Sequence, residues 1–315
     1  EKIPVTVAGP LGEKVSCYYG FLEETKTAVM EMASAAGITL VTKKDPLRAS
    51  TYGVGEMIAD ALKRGCKNFM IGIGGSATND GGIGMLKALG FEFFDEDGND
   101  VGEGAAALAK IEVIRTENKN PLLSGAKFQI ACDVKNPLCG KQGATYIFGS
   151  QKGVTEEQKD QIDEAMRHYA DVTKESLGCD FADCEGAGAA GGLGYAFLSY
   201  LAGELIPGVE LILHATGLEE KMKNADVVVT GEGRLDAQTV MGKAPAGVAA
   251  LAKKYNAKVI AFAGSVASEA KVCNRAGIDA FFPIVRGVTT LEEAMKKENA
   301  MENIAATAEQ VFRLL

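Results

Sequence analysis

Residues 69–86 hold the residue types that could bind and transfer a charged group. They read FMIGIGGSATNDGGIGML, an apolar run that ends in glycines, hydroxyl residues and an Asn-Asp pair before a helical pattern resumes. Glycines at a strand-to-helix junction let the backbone approach a ligand, and N–H groups at a helix N-terminus bind an anion. We predict that this loop binds phosphate together with a metal. The predicted contacts are Gly74, Gly75, Ser76 and Asn79, with Asp80 as a catalytic carboxylate.

Two other interpretations of this loop stay open. The glycines could merely permit tight packing in an α/β turn. Alternatively, residues 72–77 match the G-x-G-x-x-A dinucleotide fingerprint, and Glu92 follows about twenty residues further on. A dinucleotide-binding fold would continue into an apolar helix at once, whereas residues 78–82 intervene here. The match to the fingerprint is therefore weak.

A second candidate site follows the apolar run 227–229, where the chain reads TGEGRLD over residues 230–236. Ligands bind at the carboxyl ends of strands in open α/β sheets. Two carboxylates and a guanidinium at this spacing can bind magnesium and a phosphate or carboxylate together. We predict Glu232 and Asp236 as metal ligands, Arg234 as a catalytic cation and Lys243 as a phosphate contact. A hydrated loop with an internal Arg-Asp pair, and a surface lysine, are the alternatives.

A third candidate segment, residues 131–140, reads ACDVKNPLCG and again sets an aspartate after a strand-like run. Asp133 and Asn136 could bind metal or substrate, and Lys135 could bind an anion. Residues 186–194 form a further glycine cluster, which formally contains G-x-G-x-x-G but follows a polar segment. We predict a closely packed helix start there, with N–H groups facing an anion at Gly188, Gly191 and Gly192. Lys152, in the segment 148–153, is one more basic candidate.

The composition limits the classes of protein. The 315 residues are 47% hydrophobic and 24% charged, with a net charge of −9 and no Lys/Arg run, which argues against nucleic-acid binding. No apolar segment is long enough to cross a bilayer, which argues against a membrane partner. Seven scattered cysteines without a C-x-x-C pair favour reduced thiols and a cytoplasmic location. Neither histidine, His168 or His214, lies in a context typical of a general base.

The order of elements predicts two interleaved α/β domains. From residue 219 strand-like runs at 226–230, 258–263 and 280–284 alternate with helical segments at about 240–254, 267–276 and 291–314, which is typical of a parallel sheet with crossover helices. The helix at 51–65 and the strand at 68–73 share this style. We therefore predict a Rossmann/flavodoxin-like domain from 41–86 and 219–315. Residues 1–40, with a hairpin at 3–30, and 87–218 form a second mixed α/β domain. Short strand-like runs at 91–94, 128–131 and 144–148 and a polar helix at 155–176 belong to this second domain. We predict the active site in the cleft between the two domains.

The segments described above closely resemble the type I glycerate kinase family. The resemblance rests on ASTYGVGE (49–56), GIGGSATNDGG (72–82), ACDVKNPLCG (131–140), FGSQKG (148–153), GAGAAGGLG (186–194), TGEGRLD (230–236), GKAP (242–245) and AGS (263–265), in this order. Members of the family open with a strand carrying Ser-Phe-Lys-Gly-Ser and then Asp-Gly-Gly-Glu-Gly-Thr, and neither motif occurs here. Because the chain starts at Glu1 rather than at a methionine, we expect that a segment precedes it.

The resemblance implies ATP-dependent, magnesium-requiring phosphorylation of D-glycerate on a two-domain α/β fold. We expect 2-phosphoglycerate as the product, ahead of 3-phosphoglycerate. Phosphoryl transfer needs positioning, charge neutralisation and a group that orients the hydroxyl, and either Asp80 or Asp133 could be that base. An NAD-dependent hydroxy-acid dehydrogenase and a non-catalytic protein that binds glycerate or nucleotide are the alternatives. A homodimer is also left open.

Overall fold

The computed structural model describes residues 1–315, which divide into two compact units, Glu1–Gly208 and Val209–Leu315. Strands and helices alternate in both units, and parallel strand pairs occur in both. The predicted α/β class is confirmed. No helix is long and apolar enough to cross a membrane.

The first unit is built on a six-stranded mixed sheet. The eight strands of the unit are β1 (Lys2–Ala8), β2 (Lys14–Leu22), β3 (Thr27–Glu31), β4 (Asn68–Gly72), β5 (Glu92–Phe94), β6 (Val113–Arg115), β7 (Lys127–Ala131) and β8 (Glu204–Ile206). The sheet order is β1-β2-β3-β4-β7-β8, and β5 pairs separately with β6. β1 and β2 form the predicted antiparallel hairpin, while β3, β4, β7 and β8 run parallel.

The helices of the first unit cover this sheet. They are α1 (Ala33–Ala36), α2 (Tyr52–Lys63), α3 (Ile83–Ala88), α4 (Ala105–Leu108), α5 (Ala144–Lys152), α6 (Glu156–Leu177) and α7 (Ala189–Leu201), with short 3-10 helices at Ile38–Leu40 and Pro121–Leu123. A capping box between Thr155 and Gln158 starts α6, which matches the predicted polar helix. Buried aromatic side chains such as Phe69, Phe93 and Tyr169 fill the core that the sheet and helices share.

The register of the parallel strands places their carboxyl ends side by side. Glu31 pairs with Gly72, Gly72 with Ala131, and Ala131 with Ile206. The segments that leave β4 and β7, residues 73–76 and 132–134, therefore emerge from the same edge of the sheet. Ligands bind at such edges in α/β proteins.

The second unit contains a fully parallel sheet in the order β11-β10-β9. Its strands are β9 (Val227–Leu235), β10 (Lys258–Val266) and β11 (Ala280–Pro283). Its helices are α8 (Gly208–Ala215, beginning at the last residue of the first unit), α9 (Leu218–Met222), α10 (Ala244–Lys253), α11 (Val272–Arg275), α12 (Leu291–Ala294) and α13 (Lys297–Phe312), with a 3-10 helix at Ser268–Lys271. The parallel sheet predicted for this part of the chain is confirmed.

The unit boundaries differ from the predicted domains. The sequence pattern groups residues 41–86 with residues 219–315, whereas in the structure residues 41–86 belong to the first unit and residues 219–315 to the second. The reason is strand pairing. β4 pairs with β3, which precedes it in the chain, and with β7, which follows it, and all three belong to the sheet of the first unit. Alternation of strands and helices is a local signal, and it does not specify which sheet a strand enters.

Three local predictions also differ. Residues 144–148 read as a short strand but form the start of α5, which lies between Gly143 in extended conformation and Gly153 in left-handed conformation. The helices predicted at 267–276 and 291–314 each divide into two shorter helices. In the second case the break falls at Lys296, whose extended backbone interrupts the hydrogen-bonding pattern.

Candidate active site

A cavity of about 230 Å³ lies at the shared carboxyl edge of β4 and β7. Its walls are the segments that follow these two strands, the last turn of α5 and the first turn of α7. The lining residues are Ile73, Gly74, Gly75, Ser76, Ala131, Cys132, Asp133, Val134, Phe148, Gln151, Lys152, Ala189 and Ala190. The structure thus brings together five of the candidate residues predicted from the sequence, namely Gly74, Gly75, Ser76, Asp133 and Lys152.

The Gly74–Ser76 segment forms part of the wall of this cavity. Ile38 donates to the carbonyl of Gly75 and Ala77 donates to that of Ala36, both at 2.9 Å, so the segment is held from one side. The N–H groups of Gly74, Gly75 and Ser76 donate to no acceptor within the chain. A Cβ added at Gly74 would meet nothing within 4 Å, so a ligand can approach the backbone closely there.

Asp80 lies outside the cavity, in the fully buried interior. Its carboxylate accepts hydrogen bonds from the N–H and hydroxyl of Thr51, both at 2.8 Å, and from the N–H groups of Gly82 at 3.1 Å and Gly84 at 3.3 Å. Burial raises the pKa of the Asp80 carboxyl, and these hydrogen bonds oppose that shift. Asp80 thus links the starts of α2 and α3, and its burial argues against the role of general base.

Asn79 is also buried and lies apart from the cavity lining. Its side-chain amide donates to the hydroxyl of Thr145 at 3.0 Å, which connects the 72–82 loop to the start of α5. The contact that the sequence predicts for Asn79 is therefore one with the protein rather than one that faces the cavity.

The glycines of the 186–194 cluster pack against other backbone segments. A Cβ at Gly191 would overlap the carbonyl oxygen of Thr78, and one at Gly188 would overlap that of Pro137. A Cβ at Gly192 would lie 2.7 Å from the Cα of Gly81. These positions require glycine for close packing. The helix start predicted there is interrupted, because Ala190, Gly191 and Gly192 all have left-handed backbone.

Asp133 is the carboxylate that the structure places in the cavity wall. It is exposed, and its Oδ1 accepts a hydrogen bond from the N–H of Gly208 at 2.9 Å. Lys135 points elsewhere and pairs with Glu185 at 3.0 Å, while the Asn136 amide donates to the carbonyl of Gln142 at 2.8 Å. Lys135 and Asn136 are absent from the cavity lining.

Lys152, one of the basic candidates, lines the cavity as a buried residue, and its burial is the feature that the sequence does not predict. It ends α5, is 2% exposed and donates from Nζ to the carbonyl of Thr78 at 2.6 Å. A lysine in the last turn of a helix is usually a surface residue that favours the helix dipole, so its type and position gave no sign of burial. The one local feature that the sequence offers is Gly153, which follows Lys152 and ends α5 in left-handed conformation.

The second unit holds the remaining predicted residues in its own cluster. β9 continues through residue 235, so Glu232 and Arg234 lie within the strand and Asp236 directly after it. Glu232 accepts a short hydrogen bond from the hydroxyl of Thr239, whose side chain is fully buried. Asp236 lies 3.6 Å from the Lys243 ammonium and 4.0 Å from the Arg234 guanidinium.

This cluster offers few protein ligands for a cation. No group of three or more His, Cys, Asp or Glu side chains in residues 1–315 could hold a metal. Magnesium in kinases is typically bound through one or two carboxylates, with the substrate phosphates and water completing the shell. Glu232 and Asp236 supply two carboxylates, and the cationic side chains of Arg234 and Lys243 lie beside Asp236.

The chain is similar to known proteins over nearly its whole length. A family model described as the glycerate kinase family matches residues 1–315. The glycerate kinase of Bacillus subtilis (strain 168) is 46% identical over 311 residues, covering 98% of this chain and 81% of that protein. The glycerate 2-kinase of Escherichia coli (strain K12) is 46% identical over 308 residues, covering 96% and 81%. The crystal structure of a candidate glycerate kinase 2 from Salmonella typhimurium LT2 superposes with a TM-score of 0.87 at 41% identity, covering 99% of this chain and 84% of that one.

Proposed function

The chain belongs to the glycerate kinase family, and from this membership we propose that it transfers the γ-phosphoryl group of ATP to D-glycerate. We propose 2-phosphoglycerate as the product, because one relative at 46% identity is named a glycerate 2-kinase. The observation that carries the proposed phosphoryl transfer is the cavity at the carboxyl edge of β4 and β7. Backbone N–H groups without partners in the chain and a carboxylate line this small space.

The residues of this cavity suit the needs of phosphoryl transfer. Little covalent chemistry is required of the protein, and catalysis comes from positioning and from stabilising developing negative charge. The N–H groups of Gly74, Gly75 and Ser76 can donate to anionic oxygens of the substrates. Asp133, which lines the cavity, is the carboxylate that we propose orients the attacking hydroxyl and accepts its proton.

In the second unit, we propose that Glu232 and Asp236 would hold magnesium and that Arg234 and Lys243 would bind nucleotide phosphates. Magnesium, when bound, neutralises phosphate charge and so favours attack by an anionic or hydroxyl oxygen. Asp236 already lies 3.6 Å from Lys243, so the carboxylate and ammonium together can position a cation and an anion side by side.

A coupled assay of ADP release tests the proposed function. We expect MgATP-dependent ADP release with D-glycerate, little release with glycerol or lactate, and almost none without an acceptor. A change in nicotinamide absorbance with a hydroxy acid would instead identify a dehydrogenase. Saturable binding of D-glycerate and ATP without ADP release would identify a binding protein and would overturn the proposal.

We further propose a cytoplasmic location, since all seven cysteines are free thiols and four of them are only partly buried. Free thiols persist in reducing compartments. The homodimer stays a prediction from the sequence.

A further inference from the structure

Lys152 is a buried cation with spare hydrogen-bonding capacity. An ammonium group has three donors, and Lys152 uses one of them on the carbonyl of Thr78. The side chain of Lys152 is only 2% exposed, and no carboxylate lies within ion-pair distance of its Nζ. Its neighbours therefore leave its charge and two of its donors without partners.

Burial of an unpaired ammonium group costs free energy, which a bound partner of opposite charge would offset. Desolvation disfavours the charged form of a buried lysine unless a negative partner compensates it. Burial lowers the pKa of Lys152 to about 7, and the carboxylate of Asp80 partly opposes this shift. Asp80 is itself occupied by four hydrogen bonds from Thr51, Gly82 and Gly84. An anion bound in the cavity would supply the partner that the folded chain lacks.

The size of the cavity indicates which anion this is. Its volume of about 230 Å³ lies below the range of about 300–1,000 Å³ that drug-sized ligands occupy. A three-carbon acid fits within this space, whereas a whole nucleotide would extend beyond it. The wall also contains Ala190, a non-glycine residue held in left-handed backbone, and residues held in such strained conformations cluster at functional sites.

The other polar groups of the wall fit a hydroxylated acid. Asp133 can accept hydrogen bonds from hydroxyl groups, and it repels a second carboxylate. Ser76, which is 6% exposed, and Gln151 add neutral polar groups. One cationic and one anionic side chain in the same wall therefore match a ligand with one carboxylate and neighbouring hydroxyls.

We propose that Lys152 binds the carboxylate of D-glycerate in this cavity and makes an acid group a requirement for the acceptor. The inference rests on the proposed function, since it assigns one end of the proposed acceptor to one side chain. Lys152 is then a specificity-determining residue, and Asp133 faces the hydroxyl end of the same ligand.

The test compares steady-state kinetics of the full chain and of Lys152→Met. Because a hydrogen-bonded charge pair is lost, we expect KM for D-glycerate to rise by between about 10-fold and about 100-fold. KM for ATP should stay within about twofold. Activity with glycerol, which has no carboxylate, should change little. The ratio of kcat/KM for D-glycerate to kcat/KM for glycerol should therefore fall. The matched control is Lys141→Met, which removes an exposed lysine just before the same helix.

A measurement on the unaltered protein keeps the inference testable if the variant does not fold. Binding of a carboxylate should return Lys152 to its charged form. Calorimetry in two buffers of different ionisation enthalpy should then show uptake of up to about one proton on binding D-glycerate at about pH 8. Glycerol should cause no uptake.

The inference and the proposed function can fail separately. If Lys152→Met leaves KM for D-glycerate unchanged, or raises KM for ATP instead, or if D-glycerate binds without proton uptake, the inference is wrong and the kinase function stands. If the unaltered protein binds D-glycerate with proton uptake but transfers no phosphoryl group, the function is wrong and the assignment of Lys152 holds.

Discussion

At the scale of single residues, two aspartates that follow neighbouring strands have different surroundings. Asp80 is fully buried and accepts four hydrogen bonds, whereas Asp133 is exposed in the cavity wall and accepts one from the protein, from Gly208. A general base must reach the proton that it removes, and Asp133 is the one that substrate can reach. The two positions therefore predict different effects of the same chemical change.

We expect Asp133→Asn to lower kcat by about a hundred- to ten-thousand-fold, because the amide cannot accept the hydroxyl proton. The thermal midpoint should change little, since the carboxylate is exposed and accepts a single hydrogen bond from Gly208. Steady-state kinetics and thermal melting measure both effects. A kcat within about threefold of the unaltered protein would remove Asp133 from the chemical step.

Asp80→Asn should act on stability instead. The change replaces a carboxylate that accepts from Thr51, Gly82 and Gly84 by a group with only one acceptor atom. We expect a loss of roughly 2–4 kcal/mol in the free energy of unfolding. Urea denaturation measures it, and an unchanged midpoint together with a large loss of kcat would contradict the structural role of Asp80.

The pH dependence of stability tests the burial of Lys152. Burial lowers its pKa to about 7, against about 10.4 for an unfolded lysine. Between these values the unfolded chain binds more protons than the folded chain, so Lys152 makes stability rise with pH through this window. The advantage of Lys152→Met over the unaltered protein should therefore be greatest below about pH 7 and shrink towards about pH 10. Calorimetric melting of both proteins measures this difference, and a gap independent of pH would contradict it.

At the scale of elements, the glycine-rich segments divide into those that approach a ligand and those that approach other backbone. Gly74 faces open space, whereas Gly191 has left-handed backbone and lies against the carbonyl of Thr78. Glycine therefore leaves room for a ligand at one position and permits close backbone packing at the other. Substitution by alanine should affect ligand binding at the first position and stability at the second.

We expect Gly191→Ala to destabilise the fold by at least about 1–3 kcal/mol, because its Cβ meets backbone and its φ is unfavourable for alanine. Gly74→Ala should leave the thermal midpoint nearly unchanged and raise KM for a substrate. Melting and kinetics on the two variants provide a matched comparison. Equal losses of stability would show that Gly74 also packs against the protein.

The sequence predicted the elements better than their assembly. Patterns of apolar residues and turn glycines located β4, β7, α6 and the parallel strands of the second unit, because these signals are local. The entry of β4 between β3 and β7 depends on pairing between residues distant in sequence, which no local pattern contains. The same limit applies to Lys152, whose burial arises from the return of α5 against residue 78.

At the scale of the whole molecule, each of the two compact units holds its own cluster of polar and charged side chains. The first contains the cavity with Asp133 and Lys152, and the second contains the acidic and basic cluster around Asp236. We therefore expect substitutions in the two units to change different kinetic parameters. Changes in the first unit should affect the acceptor, and changes in the second should affect MgATP.

Asp236→Asn should raise the magnesium concentration needed for half-maximal activity by roughly tenfold, because one proposed carboxylate ligand is lost. KM for D-glycerate should stay nearly constant. Asp226→Asn is the matched control, since Asp226 precedes β9 at its opposite end. Activity titrated with magnesium at fixed ATP measures the effect. A magnesium dependence equal to that of the control would remove Asp236 from the proposed metal site.

Phosphorus NMR of the reaction mixture tests the central claim most directly. With MgATP and D-glycerate, we predict that the γ-phosphate signal of ATP declines while a phosphomonoester signal grows at the same rate. In 2-phosphoglycerate the phosphate is attached to a carbon that carries a single hydrogen, so the new signal should be a doublet in the proton-coupled spectrum. A triplet would show that the 3-hydroxyl is the acceptor and would contradict the product. Growth of inorganic phosphate alone, or an unchanged ATP spectrum, would contradict the kinase function itself.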